Sequence, residues 1–432
     1  MQFTFKNSLV KRVSIALEVA VAAALLAWIS KTYIAGMWAR KSTLNKLELA
    51  VRLDPGDSAY HLQLGRLFEY AVPELDTERG IQHLRRAADL NPYDPQAWLD
   101  LGAALEFQGK TREAEVCLRR ADYLAPNLPA FHWAIGNFFL LHGNVDEAFK
   151  HFKTVLAGSS QYNHILFSIA WRATGNGERI LRELIPNNLS TEFDYLYYVL
   201  AQNQYSEAQS VWTRIADSSE SFQAPQASGY LDALIAAHRL DEADQVWSDL
   251  RRKGLVENAQ ANPGQNLVLN GDFEENLSNI GFDWRIKLFE GFYASLDDTT
   301  YHSPTHALLI QFSGKRNLDY RLVWQFVRVT PKRSYELRAF AKTESITTDS
   351  GPCLEIRDAY EPGRLDKFSE GLTGSTTGWN ALTVDFTAGP KTDLIVVAVA
   401  RRASRKIDSL IAGKVWVDDL RLVPAPEQKT VN

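Results

Sequence analysis

The 432-residue chain has an ordinary globular composition, with 45% hydrophobic and 23% charged residues, and its length suffices for two or three domains. Its 47 basic and 52 acidic residues give a net charge of −5, which argues against a nucleic-acid-binding protein. The two cysteines form no C-x-x-C pair, so a disulfide framework and a cysteine-based zinc site are not expected.

An apolar run near the N-terminus predicts a transmembrane anchor over residues 13–38, after a short basic head of residues 1–12. Residues 13–30 contain Glu18 as their only charge and span about 27 Å as a helix, close to the thickness of a bilayer core. A cleaved signal peptide is the alternative, although no A-x-A cleavage motif follows the run. Basic residues flank both ends, so the positive-inside rule leaves the orientation open.

Residues 40–255 carry a helical pattern that repeats along the chain. Gly136 follows Gly102 by 34 residues, and Ala148 follows Ala114 by the same interval. That interval matches one helix-turn-helix unit, whose two helices need small residues where they approach. The pattern resembles the tetratricopeptide repeat, which implies an all-α superhelix of about five units with a protein partner in its groove. Candidate groove residues are Gln63, Asp100 and Asn137.

The residue pattern changes from helical to alternating after a linker at residues 256–265, where Gly, Pro and Asn concentrate. Residues 266–425 contain at least seven β-type runs with no helical pattern between them, and a short tail of residues 426–432 follows. This order predicts an antiparallel β-sandwich. The expected fold class is therefore multidomain, with one transmembrane helix, an all-α repeat region and an all-β jelly-roll sandwich.

The phrases NLVLNGDFEE and VWVDDLRLV open and close this last region. They resemble the jelly-roll carbohydrate-binding modules of families four and nine, in the galactose-binding-like superfamily. The resemblance implies that aromatic rings stack on sugar rings. Trp284 and Trp379 occupy phrases where the family has a structural tryptophan, so we expect both in the core. The aromatic candidates for ligand contact are Phe289, Phe292, Tyr293, Tyr320, Trp324 and Tyr360.

The same resemblance implies a structural calcium ion where the first and last strands of the sandwich meet. It suggests the carboxylates of Asp272 and Asp418 as ligands, with a backbone carbonyl from around His306, because calcium prefers hard oxygen donors. The alternative is that Asp272 caps a turn and Asp418 faces solvent. Calcium is the only cofactor that we expect.

No catalytic motif is present: the chain has no H-E-x-x-H, no G-x-S-x-G and no G-x-x-x-x-G-K-[ST], and its nine histidines are scattered. We therefore expect a non-catalytic scaffold of a bacterial-type inner membrane, with most of the chain periplasmic. Its repeats would bind a protein and its sandwich a glycan, in extracellular polysaccharide assembly or export. Two alternatives stay open: a structural spacer or protein-contact module without sugar binding, and an enzyme with an unrecognised site in the sandwich.

Overall fold

The computed structural model of the chain describes residues 8–71, 75–256 and 266–425. Most of the predicted head, most of the predicted linker and the whole predicted tail lie outside these residues. The chain divides into two compact units, Met1–Tyr195 and Leu196–Asn432.

Helix α1, Ser8–Ala39, contains the predicted anchor. Its segment Lys11–Ala39 contains an 18-residue window with a mean hydropathy of 2.1. The segment is long and apolar enough to cross a membrane, as a signal sequence near an N-terminus also is. The far end of α1 belongs to the repeats, because Ala35 and Ala39 are buried in an apolar cluster with Leu47. The last turns of α1 therefore pair with the next helix as the first hairpin.

The first unit continues as a series of helices. Aspartate or asparagine begins several of these helices, as when the Asp57 carboxylate accepts a hydrogen bond from the Ala59 N–H at 2.8 Å. The helices are α2 Leu44–Leu53, α3 Ser58–Tyr70, α4 Thr77–Leu90, α5 Pro95–Phe107, α6 Thr111–Leu124, α7 Pro129–Leu141, α8 Val145–Gly158, α9 Asn163–Thr174, α10 Gly177–Arg179 and α11 Leu189–Ala201. They form antiparallel pairs up to α8, followed by α9, α10 and the start of α11.

The repeated glycines lie where paired helices touch. A Cβ atom on Gly102 would come within 2.8 Å of Leu118, and one on Gly136 within 2.5 Å of Phe152. Both distances are shorter than van der Waals contact, so a larger side chain would push the helices apart. The predicted reason for the 34-residue spacing is confirmed.

The second unit combines the last helices with the sandwich. Its helices after α11 are α12 Tyr205–Asp217, α13 Pro225–Ala236 and α14 Leu240–Arg252. Its strands are β1 Arg285–Ile286, β2 Phe292–Asp297, β3 Ala307–Ser313, β4 Tyr320–Arg328, β5 Ser334–Glu344, β6 Cys353–Asp358, β7 Asp366–Phe368, β8 Asn380–Thr387, β9 Leu394–Arg401 and β10 Ala412–Pro424.

The strands form two five-stranded antiparallel sheets. One sheet has the order β1-β4-β9-β6-β7 and the other the order β2-β3-β10-β5-β8. Alternate residues of both sheets point inward and build one apolar core. The predicted fold class, an all-α part followed by an all-β sandwich, is confirmed.

The two predicted structural tryptophans differ in burial. Trp284 is fully buried, packs on Phe273 at 5.2 Å between ring centroids and donates its indole N–H to the Asn270 carbonyl at 2.9 Å. Trp379 is only half-buried, and its ring meets His302 edge-on at 5.5 Å. Trp284 therefore anchors the opening phrase in the core, whereas Trp379 covers the rim of the sandwich.

Helices α13 and α14 pack directly on the sandwich. Trp247 of α14 meets Phe282 edge-on, with ring centroids 6.1 Å apart. Arg328 of β4 forms an ion pair with Asp241 at 3.0 Å and a second with Asp244. The predicted linker separates the helical and β patterns in sequence, but packing joins the last helices and the sandwich in one compact unit.

Candidate functional site

A groove of about 220 Å³ lies on the outer face of the sheet β1-β4-β9-β6-β7. The surface is recessed at the central strand β9, because Ala398 and Ala400 have small side chains. Longer side chains on the flanking strands rise beside this recess. The lining residues are Asp319, Tyr320, Arg321, Glu355, Asp366, Phe368, Ala400, Arg401 and Arg402.

Strand register aligns one row of side chains across this face. Trp324 of β4 and Glu355 of β6 both pair with Ala398, and Glu355 also pairs with Phe368 of β7. Directly paired residues of antiparallel strands share a face. The row therefore places an aromatic ring on each side of a carboxylate.

The groove has a buried ion pair in its wall. Glu355 is 1% exposed, and its carboxylate accepts a hydrogen bond from Arg321. Burial raises the pKa of Glu355, although the charge of Arg321 opposes this shift. The Nε atoms of Arg321 and Arg357 are buried and have no hydrogen-bond partner among the described residues. These two donors are therefore left unsatisfied by the described residues.

Arg402 adds a cation at the same groove, with its guanidinium carbon 4.8 Å from the centre of the Phe368 ring. A guanidinium stacked on an aromatic ring is held in place and keeps its N–H groups free at the edge. The groove thus combines two aromatic side chains with a mostly charged lining of donors and acceptors.

Arg401 holds the loops around the groove in position. This residue is 1% exposed, and its guanidinium donates to the carbonyls of Ser350 at 3.0 Å and Ser409 at 2.9 Å, to that of Leu318, and to the Asn317 side chain at 2.7 Å. Burial lowers the pKa of its guanidinium. Arg401 therefore acts as a positioning residue for the loops that flank β4, β6 and β10.

Of the six aromatic candidates for ligand contact, Phe292 is buried in the core and Phe289 packs against it. The other four lie in three places. Tyr320 lines the groove, and Trp324 lies on the same strand beneath the Arg285 guanidinium, 5.1 Å from its carbon. Tyr293 is 51% exposed on strand β2 of the other sheet. Tyr360 stacks on His238 at 3.5 Å. The structure therefore brings Tyr320 and Trp324 onto one sheet and places Tyr293 and Tyr360 elsewhere.

Sequence reasoning missed the charged residues of this groove, namely Arg321, Glu355 and Arg402. Alternation along β6 could have shown that Glu355 points outward, because Leu354 and Ile356 lie in the core. It could not have shown this for Arg321, because a register shift between Arg321 and Val323 breaks the alternation of β4. Nor could it have shown that these residues meet, because β9 lies between β4 and β6 in the sheet but follows both in the chain.

The opening and closing phrases of the sandwich meet, as the resemblance implied. The Leu420 N–H donates to the Gly271 carbonyl at 2.7 Å, and the Leu267 N–H donates to the Leu422 carbonyl at 2.9 Å. A Cβ atom on Gly271 would be 2.0 Å from the Leu420 carbonyl oxygen, so only glycine permits this approach.

The predicted calcium ligands have other roles in this arrangement. Asp418 is fully buried rather than facing solvent, and its carboxylate accepts hydrogen bonds from the N–H groups of His302 at 2.7 Å, Ser303 at 2.8 Å and Asp419 at 2.6 Å. Asp272 is exposed and takes part through its backbone carbonyl, which accepts from the Ser303 hydroxyl at 3.4 Å. Donors surround Asp418, so these residues do not fit a calcium ion bound through its carboxylate.

The carboxylate nearest His306 is that of Glu274. It accepts hydrogen bonds from the His306 N–H at 3.1 Å and from the Thr305 hydroxyl. These bonds lower the pKa of Glu274 although burial raises it. Glu274 therefore ties the opening phrase to the loop before β3.

A second groove, of about 370 Å³, lies on the first helical pairs. Of the three predicted groove residues, Gln63 lines it, together with Leu47, Leu67 and Tyr70. Asp100 is instead engaged by Arg66 at 2.5 Å, and the Asn137 amide donates to a carbonyl of its own helix at 2.7 Å. The Gln63 side-chain oxygen is buried without a hydrogen-bond partner among the described residues.

No family model matches the chain, and no curated protein matches it. Among solved structures, one of MamA has 20% identity over 33% of this chain and 85% of that chain, with a TM-score of 0.27. A structure of CBM4 has 16% identity over 37% of this chain and 99% of that chain, with a TM-score of 0.27. The enzymatically active domain of tailspike protein 4 from bacteriophage CBA120 has 15% identity over 37% of this chain and 21% of that chain, with the same TM-score.

Proposed function

We propose that this protein is a non-catalytic, membrane-anchored scaffold whose sandwich binds a glycan in the groove on β4, β9, β6 and β7. The observation that carries the proposal is the pairing of aromatic rings with fixed polar groups in one groove. Phe368 offers flat apolar surface, and Tyr320 adds the edge of a ring that also packs against Phe289 and the core. Arg321 and Glu355 form a charged pair in the same lining. Sugar rings present the same combination of apolar faces and hydroxyl edges.

The ligand class follows from the charge of the groove. The formal charges of the lining balance, because it contains three arginines and three carboxylates, namely Arg321, Arg401, Arg402, Asp319, Glu355 and Asp366. A neutral polyol exploits both donors and acceptors of such a lining, whereas a strongly charged ligand would be repelled by one set. A neutral or weakly charged saccharide is therefore the favoured ligand.

The helical part supplies the scaffold in this proposal. The apolar groove lined by Leu47, Leu67 and Tyr70 suits a segment of a protein partner, with Gln63 as a hydrogen-bond acceptor. The end of α1 packs into the first hairpin, so a retained anchor would hold this groove close to the membrane. A place in extracellular polysaccharide assembly or export, outside the cytoplasm, suits a protein with these parts.

One observation favours the alternative of a structural spacer. Tyr360 stacks on His238 and donates its hydroxyl hydrogen to the Ile235 carbonyl at 2.9 Å. Arg285, which covers Trp324, also pairs with Asp232 of α13 at 2.6 Å. Two of the aromatic candidates are thus engaged where helices pack on the sandwich, so they contribute to stability without any sugar.

A glycan array with the full chain in detergent tests the proposal. We expect binding of a defined saccharide class, and we expect Phe368→Ala and Arg402→Ala each to weaken it by about tenfold, roughly 1.4 kcal/mol. Tyr293→Ala is the matched control, because it removes an exposed aromatic ring from the other sheet.

The spacer alternative predicts no saccharide binding by the wild-type chain. Equal losses in Phe368→Ala and Tyr293→Ala would also contradict the proposed groove. Turnover of a bound saccharide would contradict the non-catalytic part, and it would direct attention to Glu355, whose pKa burial raises.

A further inference from the structure

Three potential metal ligands from three consecutive helices meet inside the first unit. They are Asp122 of α6, His132 of α7 and His151 of α8. The two Nδ1 atoms are 2.9 Å apart, and Oδ1 of Asp122 is 3.5 Å from that of His132 and 3.7 Å from that of His151. Both imidazoles are buried, whereas the Asp122 side chain is 36% exposed.

The triangle of these atoms has the dimensions of a metal site. Bonds of about 2.0–2.1 Å in a tetrahedral zinc site hold the ligand atoms about 3.3 Å apart. The three observed separations, 2.9, 3.5 and 3.7 Å, bracket that value. Octahedral sites bring neighbouring ligand atoms closer together, so the geometry favours a tetrahedral ion.

The outer contacts of the two histidines orient them for metal binding. Nε2 of His132 is 2.8 Å from the Pro126 carbonyl oxygen, which can only accept, so the proton of a neutral His132 lies on Nε2. Its Nδ1 atom therefore keeps a lone pair toward His151 and Asp122. Such a carbonyl partner is typical of metal-binding histidines. The Phe139 ring stacks on His151 at 5.6 Å and limits its rotation.

The tautomer of His151 follows from the same contact. The two Nδ1 atoms are 2.9 Å apart, so the Nδ1–H of a neutral His151 donates to the lone pair on Nδ1 of His132. Binding of Zn²⁺ would therefore replace this proton, which would be released or moved to Nε2 of His151.

The chain contains a matched histidine pair without the carboxylate. His61 and His83 approach with their Nδ1 atoms 3.0 Å apart, and Nε2 of His61 is 3.3 Å from the Pro55 carbonyl oxygen. His61 precedes His132 by 71 residues, and the residue that precedes Asp122 by the same distance is Val51. Val51 packs against an apolar cluster. The repeated sequence therefore accounts for a histidine pair at each of the two places. Asp122 lies beside the second pair and has no carboxylate counterpart at position 51.

We propose that Asp122, His132 and His151 bind one Zn²⁺ ion through a carboxylate oxygen and two Nδ1 atoms. Two imidazoles and one carboxylate form a donor set that suits zinc. The fourth position lies toward the exposed side of Asp122 and is open to water or to a side chain of a bound partner. The ion would link α6, α7 and α8, and this inference does not depend on glycan binding.

The test uses the full chain in detergent, purified with a tag that contains no histidine and stripped with a chelator. Zn²⁺ alone is titrated in competition with a coloured chelator, and Co²⁺ then reports the coordination geometry by its visible absorption. We expect one equivalent of Zn²⁺ per chain and the intense Co²⁺ bands of a tetrahedral site. Asp122→Asn should weaken Zn²⁺ binding by at least roughly tenfold, and His151→Gln should weaken it further.

His83→Gln is the control, because it removes the equivalent histidine of the pair that lacks a carboxylate. We expect it to leave Zn²⁺ affinity unchanged. Absence of stoichiometric Zn²⁺ in the wild-type chain would overturn the proposal, as would equal losses in His83→Gln and His151→Gln. Asp122→Asn changes a partly exposed side chain, so it keeps the test decisive even if His151→Gln does not fold. Unchanged Zn²⁺ binding in Asp122→Asn would contradict the site.

Discussion

The repeats of the first unit and the sandwich of the second bury polar groups in different ways. In the sandwich, irregular loops contain many backbone groups that strand pairing does not satisfy. Buried charged side chains such as Arg401 and Asp418 each form hydrogen bonds with several of these groups. In the repeats, helices satisfy their own backbone, so only the carbonyls of the turns remain. His61, Trp98 and His132 each lie near the carbonyl of a proline six residues earlier.

The comparison shows that each architecture demands its own kind of buried polar residue. A loop-rich rim is organised by one charge with many partners, and losing that charge leaves many groups unsatisfied. A helical repeat is organised by one ring nitrogen for each turn, and losing it leaves a single carbonyl unsatisfied. The expected effects of substitution therefore differ in size between the two units.

Arg401→Met should have the largest effect on stability. Methionine fills a similar volume but leaves the acceptors at Ser350, Asn317, Leu318 and Ser409 without their donor. We expect the free energy of unfolding to fall by about 3–5 kcal/mol, because each buried acceptor left without a donor costs about 1–3 kcal/mol. Urea unfolding followed by circular dichroism measures this.

The control for that substitution is Arg405→Met, an exposed arginine close by in sequence. It should change the free energy of unfolding by less than about 0.5 kcal/mol. A similarly small effect at Arg401 would contradict the contrast between the two units.

Asp358→Asn tests whether a carboxylate in the sandwich likewise depends on several hydrogen-bond partners. Burial raises the pKa of Asp358, but the hydrogen bonds from the Glu361 and Tyr360 N–H groups and the Thr392 hydroxyl outweigh it and lower the pKa. The ionised form therefore stabilises the fold above the unfolded pKa of about 3.9, and this stabilisation is lost as the pH falls through the lower folded pKa.

We expect Asp358→Asn to cost about 1–3 kcal/mol at pH 7 and progressively less on acidification below about pH 4. Urea titrations at several pH values measure the difference from the wild-type chain. Asp385→Asn, at an exposed position of β8, serves as the control. Its difference in stability from the wild-type chain should stay small and should not change with pH. A pH-independent difference at Asp358 would contradict the role of its charge.

Trp98→Phe should have a smaller effect, because it removes only the ring N–H. The indole of Trp98 donates to the Pro92 carbonyl at 3.0 Å, and phenylalanine keeps most of the apolar surface. We expect a loss of about 0.5–1.5 kcal/mol in the free energy of unfolding. Substitution of Tyr123, which is 75% exposed, by Phe is the control. A loss as large as that of Arg401→Met would contradict the expected difference between the sandwich and the repeats.

His61→Gln should have the smallest effect, visible only as a change in pH dependence. Burial lowers the pKa of His61, although its bond to the Pro55 carbonyl opposes this. Since the unfolded imidazole has a pKa of about 6.5, the stabilisation by neutral His61 is present in full above that value and is lost as the pH falls from it through the lower folded pKa. The wild-type chain should therefore lose more stability than His61→Gln between pH 7 and pH 5. Parallel Tm profiles over this range would contradict the expectation.

Much of the architecture was determined by the sequence alone. The 34-residue spacing of Gly102 and Gly136 requires close helix pairs, because only small side chains fit there. The alternation of apolar residues after residue 266 specifies strands with one buried face. Both patterns are local, and local periodicity carries information about local structure.

The sites were decided by tertiary structure. Glu355 and Trp324 lie on either side of Ala398 only because β9 inserts between β4 and β6. Asp122 approaches His151 only because the loops that connect α6, α7 and α8 bring these helices together. Asp418 was predicted as a metal ligand, but the fold surrounds it with N–H donors. Periodicity shows which side of an element is buried, whereas pairing of distant elements decides which polar atoms face each other.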